Sequence, residues 1–554
     1  MQKTYSYSKF PYTRPDDIGL AQPRRYPVVI VGAGPAGLAA AIDCRQQGIP
    51  VLLLDDDDTV SVGSRGLCYA KRAIEILDRL GCGDPVMDKG VSWNVGRTFF
   101  KNDEVFKFDL QPGVDQKRPG MVNLQQYYLE EFMTRRALAA DVTLRWKNKV
   151  VSVQHNERGA TLQVETPDGM YQLEADWLIV ADGARSPIRN MLGLETEGKI
   201  FKDRFLIADV VMKADFPAER WFWFDPPFHP NQSVLLHREA DNVWRIDFQL
   251  GWDADPDTAK KPENVIPLIR AMLGDEREFE LEWVSVYTFQ CRRMKSFRHG
   301  RCLFVGDSAH QVSPFGARGA NSGLQDTDNL VWKLKLVIDG KAPDSLLDTY
   351  SQERCFAADE NLMNSTRSTD FITPKSTVSK TFRNAVLSLA EHHPFARKLV
   401  NSGRLSVPAV LTTSNLNTPD SDVFAGDMVP GAPMDDGPVA TDAGGGWLLD
   451  HLGQKFQGLY FCDDPATIAP SVLAQFAALD QGAMPIEPLV ISAKPGQLAS
   501  ATLLHDVAGV IARRYDAQDG SYYLARPDQH VAARWRSLET AHVQQARDRA
   551  TCNL

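Results

Sequence analysis

One stretch constrains the fold of this chain more than any other: YPVVIVGAGPAGLAAAIDCRQQGIPVLLLDDDD, residues 26–58. Val28 to Val31 are apolar and uninterrupted, the pattern of a parallel strand buried on both faces. Gly32, Gly34 and Gly37 then form G-x-G-x-x-G, with Pro35 and Ala36 opening a helix. Gly32 permits a tight turn, Gly34 lets the backbone approach a pyrophosphate, and Gly37 lets helix and strand pack closely. The helix N-terminus offers free N–H groups and a positive dipole end to phosphate. A second strand, Val51 to Leu54, ends at Asp55, about 20 residues past the last glycine, where an acid meets a ribose. Glycines alone would fit an empty turn as well as a binding loop. Strand, helix, second strand and terminal acid together predict an α/β unit that binds a dinucleotide. FAD and NAD share this motif, so it does not choose between them. Asp56 to Asp58 read as a solvated loop.

Two later segments repeat the logic of a strand tip carrying an acid. In LEADWLIVADGARSPIR (173–189) an apolar strand, Trp177 to Ala181, meets Asp182-Gly183 and a polar turn with Arg185. In LFVGDSAHQVSPFGARGANSG (303–323) a strand from Cys302 to Val305 meets Gly306-Asp307, and a glycine-rich turn leads into the helical pattern LQDTDNLVWKLKLVI.

This ordered set of three motifs resembles the single-component FAD-dependent aromatic hydroxylases, specifically their phenol and 3-(3-hydroxyphenyl)propionate hydroxylase branch. The likeness covers roughly residues 26–360. It implies a Rossmann-like α/β FAD-binding domain, an inserted antiparallel substrate-binding sheet and a C-terminal thioredoxin-like domain. The implied chemistry is hydroxylation of a phenolic or hydroxylated aromatic compound with NAD(P)H and O2, through a flavin hydroperoxide. By the same resemblance, Gly306 and Asp307 hold the ribityl chain. The N–H groups of Gly319, Ala320 and Asn321 face the flavin pyrimidine edge, where charge develops on reduction. Arg65 approaches the pyrophosphate, Gln126 the ribityl phosphate (Gln125 competes for that place), and the Val150 main chain the adenine. Asp182, Arg185 and the neighbourhood of Arg65 are the expected nicotinamide contacts. Ala317-Arg318 depart from the Gly-Gln of many relatives, which weakens the assignment of flavin contacts there.

For the substrate, Tyr287 in WVSVYTFQ and Arg245 in VWRIDFQL are candidates to activate a phenol, because both lie on strands expected to form the substrate sheet. His310 follows Asp307 by three residues and is a candidate near the flavin, and the Pro314 carbonyl could position oxygen transfer. Each also has a purely structural reading. RWFWFDPP (220–227) resembles the Trp-x-Trp-x-Ile-Pro signature of flavin-dependent halogenases, but Phe224-Asp225 replace its ending. Alternating aromatics on a half-buried strand explain it better. A flavoprotein that performs no oxygenation, a dehydrogenase or redox partner, is the other alternative.

The domain division expected for 554 residues is an N-terminal arm (1–25), a FAD-binding domain (26–91, 120–190, 296–345) and a substrate sheet (92–119, 191–295). A helical segment (346–404) and a C-terminal domain (405–554) follow. The latter opens on a linker-like Ser/Thr/Pro/Asn-rich stretch and closes on a polar tail, QQARDRATCNL, expected to fray. Net charge is −10 with no basic stripe, which argues against nucleic acid as a partner. No stretch reads as a membrane span or a signal peptide, and the eight scattered cysteines form neither Cys-x-x-Cys nor a zinc spacing. A cytoplasmic, metal-free homodimer with a redox-silent C-terminal domain is expected.

Overall fold

The computed structural model describes residues 4–63, 65–110, 115–402, 405–442 and 444–554. Ser64 of the Ser-Arg segment and the expected boundary at Arg404 lie outside these residues.

The first strand, Arg24–Val31, is flanked in parallel by Val51–Leu54 on one side and Gly169–Val180 on the other. Cys302–Phe304 pairs in parallel beyond the latter, and Thr143–Arg145 beyond the former. Burial on both faces explains the apolar runs. Val28 to Ile30, Leu52 to Leu54, Leu178 to Val180 and Cys302 to Phe304 have no exposed surface. Because the strands run parallel, the tips bearing Gly32, Asp55, Asp182 and Gly306 emerge at one edge, as ligand-binding edges of open α/β sheets do. The helices Pro35–Gln46 and Gly319–Ile338 pack directly on each other.

A second eight-stranded sheet follows the order His310–Gln311, Glu280–Met294, Thr196–Val211, Val243–Leu250, Ser233–Arg238, Arg220–Phe224, Val95–Phe100, Asp103–Asp109. All pairs are antiparallel except Arg220–Phe224 with Val95–Phe100. One face buries Phe205, Phe222, Phe224, Leu235 and Phe289; the other buries Trp244, Ile246 and Phe248 under the helix Pro262–Leu273. Trp221 and Trp223 join this second face, so the aromatic alternation is that of a strand between two apolar layers.

One expectation about the chain's periphery, the frayed tail, is corrected, and two further segments are packed against the body of the protein. The N-terminal arm is stitched across the first sheet: Phe10 stacks on Trp146 at 4.5 Å, and Tyr7 Oη accepts the Gly63 N–H at 2.9 Å. The linker-like stretch lacks regular structure yet buries Leu405, Leu411 and Leu416. The polar tail forms part of a helix, Thr540–Ala550, whose Val543, Ala546 and Ala550 are buried. Apolar residues at helical spacing outweigh the polar composition there.

The C-terminal region builds a seven-stranded mixed sheet. Phe456–Cys462, Ile486–Ser492 and Thr502–His505 run parallel, and Tyr522–Ala525 and Val531–Trp535 form the expected hairpin around Arg526-Pro527-Asp528-Gln529.

Candidate active site

The glycine turn shows why each glycine is needed. Gly32 has φ +107°, and a Cβ there would lie 2.4 Å from the Ala181 carbonyl oxygen. A Cβ on Gly37 would lie 1.8 Å from the Gly32 oxygen, so helix and turn touch through bare backbone. Above Gly34 there is open space within 4 Å, room for a phosphate to reach the backbone. Pro35 is at the helix start and no side chain caps it, which leaves the Ala36 and Gly37 N–H groups for an anion.

Asp55 closes this end. Its Oδ2 accepts from the Ala33 N–H at 2.5 Å and its Oδ1 from the Asp57 N–H at 2.8 Å. Burial pushes its carboxyl up to about 6 against those two bonds. The Asn148 N–H donates to the Asp55 carbonyl at 2.8 Å, so the turn before Val150 lies beside Asp55. Val150 itself is buried in the ladder opposite Val164.

The late motif forms the other end. Gly306 takes φ +61° and donates its N–H to Asp326 Oδ2 at 2.9 Å. Asp307 is solvent-accessible, and desolvation by the protein packed around it raises its carboxyl pKa. A Cβ on Gly319 would lie 3.8 Å from an Asp307 carboxylate oxygen, which puts the acid at the start of the helix Gly319–Ile338. The first intrahelical bond runs from Ser322 N–H to the Arg318 oxygen at 2.8 Å. The N–H groups of Gly319, Ala320 and Asn321 therefore point out of the helix end. A Cβ on Gly306 would come within 3.2 Å of the Ala36 Cβ, so the two glycine loops adjoin.

Between the ends lies the segment after the second strand. Gln126 Oε1 accepts the Gly66 N–H at 2.8 Å, which fixes the backbone beside the exposed Arg65. Gln125 is fully buried and donates to the Ala240 oxygen at 3.2 Å, so of the two glutamines Gln126 faces the cofactor segment. The Asn321 side chain accepts the Ala70 N–H at 2.8 Å and donates to the Cys68 oxygen at 2.9 Å. It ties this segment to the late helix, a role the sequence did not suggest.

Other expected residues sit elsewhere or are already engaged. His310 is buried, with Nε2 at 2.6 Å from Asp326 Oδ2 and its ring stacked on Phe297 at 5.5 Å. It braces the carboxylate that holds Gly306, and Asp326 sits about two turns inside the late helix. Asp326 also takes Arg354 Nε at 2.7 Å and was missed by sequence reasoning, its partners being far apart in the chain. Asp182 spends both oxygens locally, on Ser186 Oγ at 2.6 Å and the Ile188 N–H at 2.9 Å, and so shapes its own turn. Arg189 donates to the Ser308 oxygen at 2.8 Å and latches that turn to the late motif. Pro314 is exposed and its carbonyl accepts the Ala317 N–H at 3.1 Å, closing the turn. Ala317 itself has φ +53°. Arg318 is buried and donates to Asn361 Oδ1 at 2.5 Å. Arg245 is buried against Asp209 at 2.9 Å and Glu239 at 3.3 Å, and Tyr287 is half-buried in the same sheet, its hydroxyl pKa raised by burial.

The site is thus long and has two ends, each with unpaired helix N–H groups and an acid beside them. Residues 25–365 match the FAD binding domain family. The chain is 28% identical to the 3-(3-hydroxy-phenyl)propionate/3-hydroxycinnamic acid hydroxylase of Burkholderia cenocepacia, over 92% of this chain and 94% of that protein. The chain belongs to the single-component FAD-dependent aromatic hydroxylases. The 6-methylpretetramide 4-monooxygenase of Streptomyces rimosus is 29% identical over 66% of this hydroxylase and 64% of its own length. Among solved structures, the flavin-dependent monooxygenase PieE, in complex with FAD and substrate, shares the fold at TM-score 0.78 and 24% identity, over 96% of this chain and 99% of its own. The OxyS anhydrotetracycline hydroxylase of Streptomyces rimosus is similar at TM-score 0.68 and 25% identity, over 95% and 99%. The open space at Gly34, the unpaired helix starts and the accessible Asp307 fit FAD.

Proposed function

We propose that this monooxygenase hydroxylates a phenolic or otherwise hydroxylated aromatic compound with NAD(P)H and O2. The observation that carries the reading is an aromatic wall beside the late glycine loop. Phe315 from that loop meets Phe205 at 4.9 Å and Phe289 at 5.2 Å, both on the antiparallel sheet. When bound, FAD accepts a hydride from NAD(P)H and activates O2 for transfer to the ring.

The residues of the chain supply everything else. The Gly32–Gly37 turn and Asp55 hold the ADP end, with Arg65 and Gln126 on the connecting phosphates and Val150 beside the adenine. Asp307 accepts from ribityl hydroxyls. The N–H groups of Gly319, Ala320 and Asn321 stabilise charge on the flavin pyrimidine. The aromatic wall orients a flat ring and excludes water. Trp221 and Trp223 pack with Phe99, Phe216 and Phe228 on the far face of the sheet, which leaves the halogenase reading without a catalytic use for them.

The same reading assigns residues 26–91, 120–190 and 296–345 to FAD, and residues 92–119 and 191–295 to substrate. It makes the C-terminal unit a thioredoxin-like domain. Cys462 there is buried, with its thiol pushed up to about 12, which suits a redox-silent role in packing or in a homodimer. Among the described residues no helix is long and apolar enough to cross a membrane, and no cluster of ligands suits a metal ion.

The test is oxygen-dependent NAD(P)H oxidation by the yellow holoprotein across a panel of phenols, with the product identified by mass. At least one phenol should accelerate oxidation and gain one oxygen atom. Acceleration by none of them would refute the reading.

A further inference from the structure

The face of the antiparallel sheet that carries the aromatic wall also carries a polar end, and the carboxylate beside the wall, Asp247, has no hydrogen-bond donor among the described residues. Along Val243–Leu250 side chains alternate, so Arg245, Asp247 and Gln249 share the face opposite Trp244, Ile246 and Phe248. Register places Arg245 between Asp209 and His237, and Asp247 between Ile207 and Leu235. Leu235 packs in the cluster of Phe205, Phe222 and Phe315. Asp247 therefore stands at the step where the charged end meets the aromatic wall.

The arginines around it are engaged, whereas Asp247 is not, and His237 Nδ1 is likewise buried without a partner among the described residues. Arg245 is forked onto Asp209 at 2.9 and 3.1 Å. Arg220, two strands away, is buried and donates to the Ser402 carbonyl. Burial keeps His237 neutral, its pKa held well below the usual range. Among the described residues no donor reaches the Asp247 carboxylate, and its Oδ1 is shut off from solvent without a partner. The rest of the side chain retains some accessible surface. A carboxylate enclosed in this way, with no hydrogen bond, is costly unless something else completes it. Cys68, on the segment that carries Arg65, pairs with Asn123, whose Nδ2 donates to the Arg238 oxygen at 2.9 Å, so this end of the sheet adjoins the cofactor segment.

We propose that Asp247 is the group that receives the ring hydroxyl of the substrate and takes its proton. The proposal rests on the phenolic reading above. The phenolic O–H donates to the free carboxylate. In the reaction that O–H bond breaks, a new O–H bond forms on Asp247, and the electron pair left on the ring oxygen raises the nucleophilicity of the ring carbons. The proton then returns to the product oxygen or to solvent, with no net redox change at Asp247. Burial, with Asp209 adding to it and Arg245 and Arg220 opposing, pushes the carboxyl up to about 7, which suits a general base at neutral pH. Tyr287 and Arg245, the expected activators, fit less well. Burial raises the Tyr287 hydroxyl, and Arg245 is already forked onto Asp209.

The test compares wild-type holoprotein with Asp247→Asn, which keeps shape and an acceptor but cannot take a proton. The probes are 3-hydroxycinnamate, whose absorbance reports phenol against phenolate, and cinnamate, which lacks the hydroxyl. The wild type should bind 3-hydroxycinnamate more tightly than cinnamate, and its kcat/KM should rise with pH through about 7. Asp247→Asn should bind cinnamate normally, lose the binding preference and the inflection, and lose about 10²–10⁴-fold in kcat. Should the variant fold poorly, the bound-ligand spectrum of the wild type decides alone: a hydroxyl on a carboxylate shifts its ionisation, and an unshifted spectrum overturns the proposal. A variant that keeps its kcat and inflection overturns the proposal while the phenolic reading stands. A wild type that accelerates with no ring hydroxyl compound overturns both.

Discussion

Two of the buried charge clusters among the described residues differ in one respect. At the seam between the late helix, the helix Leu346–Ile372 and the C-terminal hairpin, Arg526 donates to both Glu353 oxygens at 2.7 and 3.0 Å and to Asp528 at 2.6 and 3.0 Å. Lys333 adds 2.7 Å to Glu353 and 2.9 Å to Asn329. On the antiparallel sheet, Arg245 and Asp209 pair in the same manner, but Asp247 beside them has no donor. A saturated network fixes one packing of two units, whereas a carboxylate left open inside a protein waits for a partner from outside. Bond satisfaction separates the structural cluster from the chemical one where charge and burial alone do not.

The comparison breaks first at its structural side. Arg526→Met leaves Glu353 and Asp528 buried without their main cation and should cost about 3–5 kcal/mol in urea-unfolding stability. The two clusters should also respond to pH with opposite signs. Burial would raise the Glu353 carboxyl, but Arg526 and Lys333 overcome it and hold it far below the usual range. Its contribution is therefore present above the unfolded carboxylate pKa and lost as the pH falls. Asp247 is raised, so the folded state binds the extra proton between about 4 and about 7, and stability falls as pH rises through that window. Asp247→Asn should remove that fall, a gain of about 1–3 kcal/mol at pH 8 relative to wild type. His310→Gln, which loosens Asp326 behind Gly306, should lower thermal stability by about 1–2 kcal/mol and leave the pH inflection of turnover in place. Tyr287→Phe should change kcat the least, by less than about tenfold, because its hydroxyl is not the proton acceptor.

The glycine loops were legible because their chemistry forces local sequence. A pyrophosphate needs bare backbone after a strand, and no other short pattern provides it. The late Gly-Asp motif was legible only in company with the first, since one acid after a strand has many uses. Asp247 was not legible: its openness follows from which residues stand across from it on two neighbouring strands, and register is a tertiary property. The pairing of His310 with Asp326 was likewise not legible, because the two residues meet only when the late turn packs on the late helix. Arg526 reads as a turn residue in sequence, and its partner Glu353 lies in a different part of the chain. The terminal helix was hidden by charged residues around three apolar ones, Val543, Ala546 and Ala550, that pack on the C-terminal sheet.

A single long cofactor held by an acid at each end predicts that the two acids contribute to different parts of it. Calorimetric titration of the apoprotein with FAD and with ADP, in wild type, Asp55→Asn and Asp307→Asn, measures this directly. Asp307→Asn should weaken FAD by about 10–100-fold and leave ADP binding unchanged, while Asp55→Asn weakens both. Equal loss of ADP and FAD affinity in Asp307→Asn, or no loss of either, would contradict it.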